Sequence, residues 1–337
     1  MVTRGMIAIL LAATLAGCGK KTTGTYVTME GFALGTTYSI TVNAADTTGL
    51  RASVDSLFRA TDASMSIYNP ESLLSRINRN ETDSVDAHIT RCIEIARTVS
   101  QLTGGVYDIT VKPLTDVWGF GAREGGGEEE MPDINAILQY VGYNKIHIAD
   151  GRIVKDDPRT ELDLNSIAKG YITDLLGGMV HARGIGDYIV EVGGEIVCRG
   201  HNSRGIPWVV GIDRPADGNM VSGADMQAMI SFTNAGLATS GNYRRYHTDA
   251  EGRKVVHTLN ALTGMSVPGN LLSATVIAAD CATADALATA LMAVGLERAT
   301  EILETNPQWA GYLIYTDNGG EFKEYVSPRM KQYILEN

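Results

Sequence analysis

Residues 272–295 read LSATVIAADCATADALATALMAVG, and the change of pattern inside this stretch decides the fold class. Leu272–Ala278 is an apolar run of strand length. Cys281–Val294 is rich in Ala and Leu, lacks proline and stops at Gly295, which is how a buried helix with a glycine stop is written. Upstream, the spacing predicts strands at Tyr188–Val192, Glu195–Arg199, Trp208–Ile212 and Met226–Phe232. Downstream it predicts a strand at Ala310–Thr316 and a closing helix at Pro328–Leu335. Toward the N-terminus, Tyr38, Ile40 and Val42 alternate with polar residues, and helical spacing covers Leu50–Met65, Asp86–Leu102, Ile134–Val141 and Asn165–Arg183. Strand runs and helix runs are grouped, so the class is α+β and not a doubly wound sheet.

The chain has 337 residues, 44% hydrophobic and 20% charged, enough for a substantial core. Its formal charge of −11 offers no basic stripe, which excludes nucleic acid as a partner. Thirty-seven glycines against nine prolines indicate tight turns, and the composition excludes collagen, mucin and coiled-coil classes. Cys92, Cys198 and Cys281 lie far apart in apolar surroundings and read as small buried hydrophobes. No HExxH or HxxxH spacing offers a histidine-built metal site.

Arg4 precedes an apolar run from Met6 to Leu15, too short for a bilayer core of about 30 Å but suited to a signal peptide. Leu15-Ala16-Gly17-Cys18 resembles a bacterial lipobox; the alternative is a plain secretory signal. The expected organisation is a signal peptide over residues 1–17, a tether over 18–27 lipidated at Cys18, and one domain over 28–337. Such a protein would sit on the periplasmic side of a bacterial membrane, held by lipid. Gly19-Lys20-Lys21-Thr22 is no phosphate loop, because Thr14 stands where that loop needs glycine.

Four segments carry candidate chemistry. Gly105–Gly121 (GVYDITVKPLTDVWGFG) places Asp108 between Tyr107 and Ile109 ahead of a Gly-Phe-Gly turn, and alone reads as strand plus turn. In Leu162–Asp174 (LDLNSIAKGYITD), Asp163 is read as capping a helix whose early turn carries Lys169. A helix start with a lysine suits a phosphate, and equally an amphipathic helix with a solvated lysine. Ala238–Gly264 joins a Thr239-Ser240-Gly241 turn to Arg244, Arg245 and His257, either a decorated hairpin or a polyanion pocket. In Asp280–Gly295, Asp285 and Thr289 are four apart and share one helix face. That is hard-oxygen donation of the kind magnesium accepts, or a buried Thr bonding back to its own helix.

In this order the four segments resemble the ApbE-type FAD:protein FMN transferases. The resemblance also covers Leu34-Gly35-Thr36-Thr37-Tyr38, Ser66-Ile67-Tyr68, Ser75-Arg76-Ile77-Asn78 and Val192-Gly193-Gly194-Glu195, and it spans about residues 31 to 316. It implies a two-part α+β architecture, with a T-fold-like sheet and helix core and an FAD cleft between the parts. It also implies transfer of FMN from FAD to a Thr or Ser hydroxyl of an exported redox-complex subunit, with AMP leaving. By position it implies Mg2+ ligation by Asp285, Thr289 and the backbone carbonyls of Ser166 and Ala288. FAD contacts are implied at Leu34, Tyr68, Val106, Tyr107, Asp108, Asp163, Lys169 and Leu259. His257, with an ordinary pKa of about 6.5, is the candidate base for the incoming hydroxyl.

The chain departs from that pattern where the family writes His-x-Ile-Asp-Pro-x-Thr-Gly. Here His257-Thr258-Leu259-Asn260-Ala261-Leu262-Thr263-Gly264 lacks the carboxylate and the rigid proline. Leu34 stands for the usual methionine, a volume-conserving change. Ser273-Ala274-Thr275 resembles the end of an acceptor motif, but Asn270 and Leu271 spoil its start, so the acceptor is another protein. An FAD pyrophosphatase releasing FMN and AMP, or an FAD-holding lipoprotein without turnover, would use the same motifs.

Overall fold

The computed structural model describes residues 24–121, 133–215, 225–242, 246–248, 252 and 254–336. Eight strands form its main sheet: β1 (Tyr26–Ala33), β2 (Thr36–Asn43), β3 (Tyr188–Val192), β4 (Glu195–Arg199), β5 (Ala235–Gly241), β6 (Leu271–Ala278), β7 (Ala310–Thr316) and β8 (Phe322–Val326). Their order across the sheet is their order in the chain, and every neighbouring pair is antiparallel. The grouped runs thus give the expected α+β class.

Side chains alternate across a strand, so the sheet has a core on each face. Ala274, Val276 and Ala278 of β6 enter the larger core, with Ile40 and Val42 of β2 and the helices. Ile277 points the other way, onto Trp208, Ile230, Phe232, Tyr312 and Met330. That second face is covered by a hairpin of Trp208–Asp213 and Met226–Phe232.

Between β2 and β3 the chain makes α1 (Leu50–Met65), α2 (Leu73–Asn78), α3 (Ala87–Leu102), α4 (Lys112–Val117), α5 (Ile134–Leu138) and α6 (Ala168–Ala182). Helices α7 (Cys281–Val294) and α8 (Leu296–Thr305) lie between β6 and β7. Most of α7 is buried and many of its residues are alanine, as an apolar helix enclosed on all sides requires. Its start is held by two aspartates. Asp280 accepts from the Thr283 N–H at 2.7 Å, and Asp174 of α6 accepts from the Cys281 and Ala282 N–H groups at 2.9 and 2.8 Å. Burial outweighs these bonds and pushes the Asp174 acid up to about 7.

α6 and α7 touch at Gly170, where a Cβ would lie 2.3 Å from the Cys281 carbonyl oxygen and 2.7 Å from Asp285 Cβ. Gly170→Ala is therefore expected to lower stability by about 1–3 kcal/mol through overpacking, read as a lower urea midpoint. An unchanged midpoint would show that the helices can part freely.

Several expectations need correction. Pro328–Leu335 is not a helix; a single 3-10 turn at Met330–Gln332 folds under the second core. Gly105–Gly121 is not a strand, because turns lead into α4, with Pro113 in its first turn where a missing N–H costs nothing. Thr239-Ser240-Gly241 ends strand β5 and is no turn. Tyr26 and Val27, read as tether, already belong to β1. The signal peptide and Cys18 lie outside the described residues, as do Arg244 and Arg245. Cys92, Cys198 and Cys281 are free and buried, as expected.

Candidate functional site

The site forms where the start of α6, the middle of α7 and the opening of β4 converge. Asp163 does not cap α6, because the N-cap position is Ile167, which has no side-chain oxygen. Asp163 instead caps the turn before it: Oδ1 accepts from the Asn165 N–H at 2.8 Å, and Thr115 Oγ1 donates to Oδ2 at 3.4 Å. That turn presents Asn165 and Ser166. Asn165 Nδ2 donates to Tyr68 Oη at 3.3 Å, and Ser166 Oγ pairs with Tyr107 Oη at 3.0 Å. Tyr68 is 54% exposed, an aromatic face left open beside the turn.

One turn into α6, the Gly170 N–H donates to Asp285 Oδ2 at 2.9 Å, joining the two helices through a carboxylate only 3% exposed. Lys169 Nζ lies 2.5 Å from Glu195 Oε1. Glu195 is 2% exposed, and its second oxygen, Oε2, is buried with no hydrogen-bond partner. Burial pushes the Glu195 acid up to about 7 against the pull of Lys169. Burial likewise raises Asp285, against Lys169 and the Gly170 N–H. For Lys169, burial works against the charge, but Glu195 and Asp285 outweigh it and its pKa rises. One helical turn beyond Asp285, Thr289 Oγ1 pairs with Ser240 Oγ of β5 at 3.0 Å. The hydroxyl of Thr289 is therefore turned outward to the sheet and not back onto its own helix.

The β1–β2 turn comes to the same place. Leu34, at φ +51°, leads into it and is part-exposed. The Gly193 N–H donates to the Thr37 carbonyl at 3.0 Å, and a Cβ on Gly193 would reach within 2.8 Å of Thr36 Oγ1. The Gly193-Gly194 turn that opens β4 thus packs against Thr36 and Thr37 of β2.

A second group surrounds the loop after His257. The Ala261 N–H donates to the Val106 carbonyl at 3.0 Å, a bond that proline could not make. Asn260 Oδ1 accepts from the Leu262 and Thr263 N–H groups at 2.9 and 3.3 Å, so its amide oxygen caps this turn. Asn260→Ala is expected to cost about 1 kcal/mol of stability, while Asn260→Asp stays near neutral. Thermal melts of both variants check this, and equal losses would refute the acceptor role.

Leu259 is buried with Leu114 and Ala261. Both oxygens of Asp108 are engaged inside the protein: Oδ1 accepts from Thr110 N–H and Oγ1, each at 2.8 Å, and Oδ2 accepts from the Tyr143 N–H. Its carboxylate braces the loop. His257 lies edge-on to Phe120, 6.2 Å between ring centres, and Phe120 also meets His247 at 5.0 Å.

Among the described residues no three His, Cys, Asp or Glu side chains gather as a metal cluster. The donors that α7 carries on one face, the Asp285 carboxylate and the Thr289 hydroxyl, are hard oxygens, which suit magnesium better than zinc. Glu195 Oε2, buried without a hydrogen-bond partner beside Lys169, is a further hard-oxygen acceptor. Sequence reasoning singled out Lys169, Asp285 and Thr289, named Ser240 only within a hydroxyl-rich turn, and gave Glu195 no role. Val192-Gly193-Gly194-Glu195 entered only through the resemblance, and nothing local marks a strand-initial glutamate as buried.

A family model described as the ApbE family matches residues 34–313. The chain is 33% identical over 343 residues to the FAD:protein FMN transferase of Vibrio cholerae, covering 98% of each. It is 32% identical over 345 residues to the FAD:protein FMN transferase of Escherichia coli, covering 97% of this chain and 96% of that one. The solved structure of flavin transferase ApbE from Vibrio cholerae matches with a TM-score of 0.81 at 33% identity, over 92% of this chain and 99% of that one.

Proposed function

Because the chain belongs to the ApbE family, we propose that it is an FAD:protein FMN transferase, the activity for which its relatives are named. The observation that carries the reading is the convergence of Lys169, Asp285 and Thr289 where α6 crosses α7, a cationic side chain beside hard-oxygen donors. FAD is the donor and a Thr or Ser hydroxyl of a partner protein is the acceptor. That oxygen bonds to the phosphorus on the FMN side, the bond from this phosphorus to the bridging oxygen breaks, and AMP leaves with that oxygen.

Lys169 donates to the pyrophosphate from a side chain 43% exposed. Asp285, Thr289 and the carbonyls of Ser166 and Ala288 would hold Mg2+, which when bound neutralises charge on the pyrophosphate. His257 is the candidate acceptor of the hydroxyl proton, with Phe120 against its ring edge. Tyr68, with its open face, supports a ring-stacking role; Leu34, Val106–Asp108, Asp163 and Leu259 complete the FAD contacts implied by position. Lipid on Cys18 would anchor the enzyme on the periplasmic side of the cell envelope, where an exported redox subunit is the partner. No helix among the described residues is long and apolar enough to cross a membrane.

The test is mass spectrometry of a periplasmic redox subunit incubated with protein lacking residues 1–18, FAD and Mg2+, with an EDTA control. A magnesium-dependent gain of one FMN less water, with AMP released, supports transfer. Free FMN and AMP without that gain would replace it by the pyrophosphatase, and intact FAD by a binding role.

A further inference from the structure

The positive charge beside these buried carboxyl groups is a side chain of the protein itself. Lys169 Nζ sits 2.5 Å from Glu195 Oε1, and Lys169 also precedes Gly170, whose N–H holds Asp285. Glu195 and Asp285 are 2% and 3% exposed, so water screens neither, and Lys169 reaches the first of them at 2.5 Å. The lysine side chain is itself 43% exposed, so its flexible stem can carry the ammonium between Glu195 and the mouth of the site without unpacking α6. Glu195 Oε2, buried and without a partner, is an acceptor that this arrangement leaves unused.

Resting on the magnesium and FAD reading above, we propose that Lys169 is a resident stand-in for the divalent cation. A cation at Asp285 and Thr289 takes over the negative charge now balanced by the ammonium. Glu195 then gives up Lys169, which moves to the mouth where the FAD pyrophosphate must arrive. Glu195 is thus a positioning residue, holding Lys169 inward until metal is present, and metal binding prepares the site for the dinucleotide. The coupling is reciprocal, because whatever draws Lys169 outward also favours the metal.

The experiment follows Lys169 directly and uses no flavin. The protein lacking residues 1–18 is reductively dimethylated with 13C, which preserves the lysine charge, and the Lys169 resonance is assigned by its loss in Lys169→Met. Mg2+ alone is expected to shift that resonance, and Glu195→Gln is expected to show it near the shifted position before metal is added. Calorimetry is expected to find Mg2+ binding to Lys169→Met about tenfold tighter than to the parent. Magnesium binding with the resonance unmoved would overturn the inference and leave the transferase reading standing. No magnesium binding by calorimetry would overturn both the metal assignment and the inference.

Discussion

Asp285→Asn is expected to reduce magnesium-dependent flavin transfer by about 10²–10³-fold while the melting temperature stays close to that of the parent. The side chain keeps its shape, and its amide oxygen can still accept the Gly170 N–H now bonded to Asp285 Oδ2. What disappears is a charge that is 3% exposed and held against the start of α6. Removing a buried charge is close to neutral for stability when the hydrogen bond survives. Initial rates of FMN attachment, followed by intact mass, decide the matter. A rate within a few-fold of the parent would take Asp285 out of the site.

Lys169→Met is expected to weaken FAD binding about 10–100-fold, because a charge-assisted hydrogen bond is worth about 1.5–3 kcal/mol. Methionine keeps the apolar stem, so the loss reports the ammonium. The same variant carries a pH signature through Glu195. Burial already raises that acid from 4.5 to about 7 with Lys169 beside it, and removing the lysine raises it further. A folded-state pKa above the unfolded one means that the folded protein holds more protons between the two values, so stability falls as pH rises through that window. The window reaches from 4.5 to about 7 in the parent and extends higher in the variant. The difference in melting temperature between the two proteins is therefore expected to widen from pH 6 to pH 8.5. Equal FAD affinity by titration would refute the phosphate contact, and a constant gap would refute the Glu195 pairing.

Much of this molecule is legible in its residues. Tyr38, Ile40 and Val42 alternate because one face of β2 is core, and the Ala and Leu run of α7 is apolar all round because the helix is enclosed. Strand β5 (AGLATSG) is illegible for the opposite reason, since its small residues carry no β preference and pair only because β4 and β6 lie on either side. The turn capped by Asp163 resembles a helix start because aspartate serves both, and only backbone geometry separates them. Within the site, Asp285 and Thr289 are visible as a one-face pair. Glu195 becomes meaningful only when the sheet sets it against Lys169, 26 positions away in the chain and 2.5 Å away in space.

The order of the sheet has a consequence for how the chain reaches this state. β1 and β2 form a hairpin from adjacent residues, yet β2 must wait for β3, with Val42 opposite Tyr188, until α1 to α6 have been made and gathered between them. Closing so long a loop is an entropic cost met before any strand pairing rewards it, and folds dominated by such contacts are slow. The seam between β2 and β3 is therefore expected to zip late. Substitutions there should speed unfolding and leave the folding rate nearly unchanged, whereas changes in the β6–α7 region should slow folding itself.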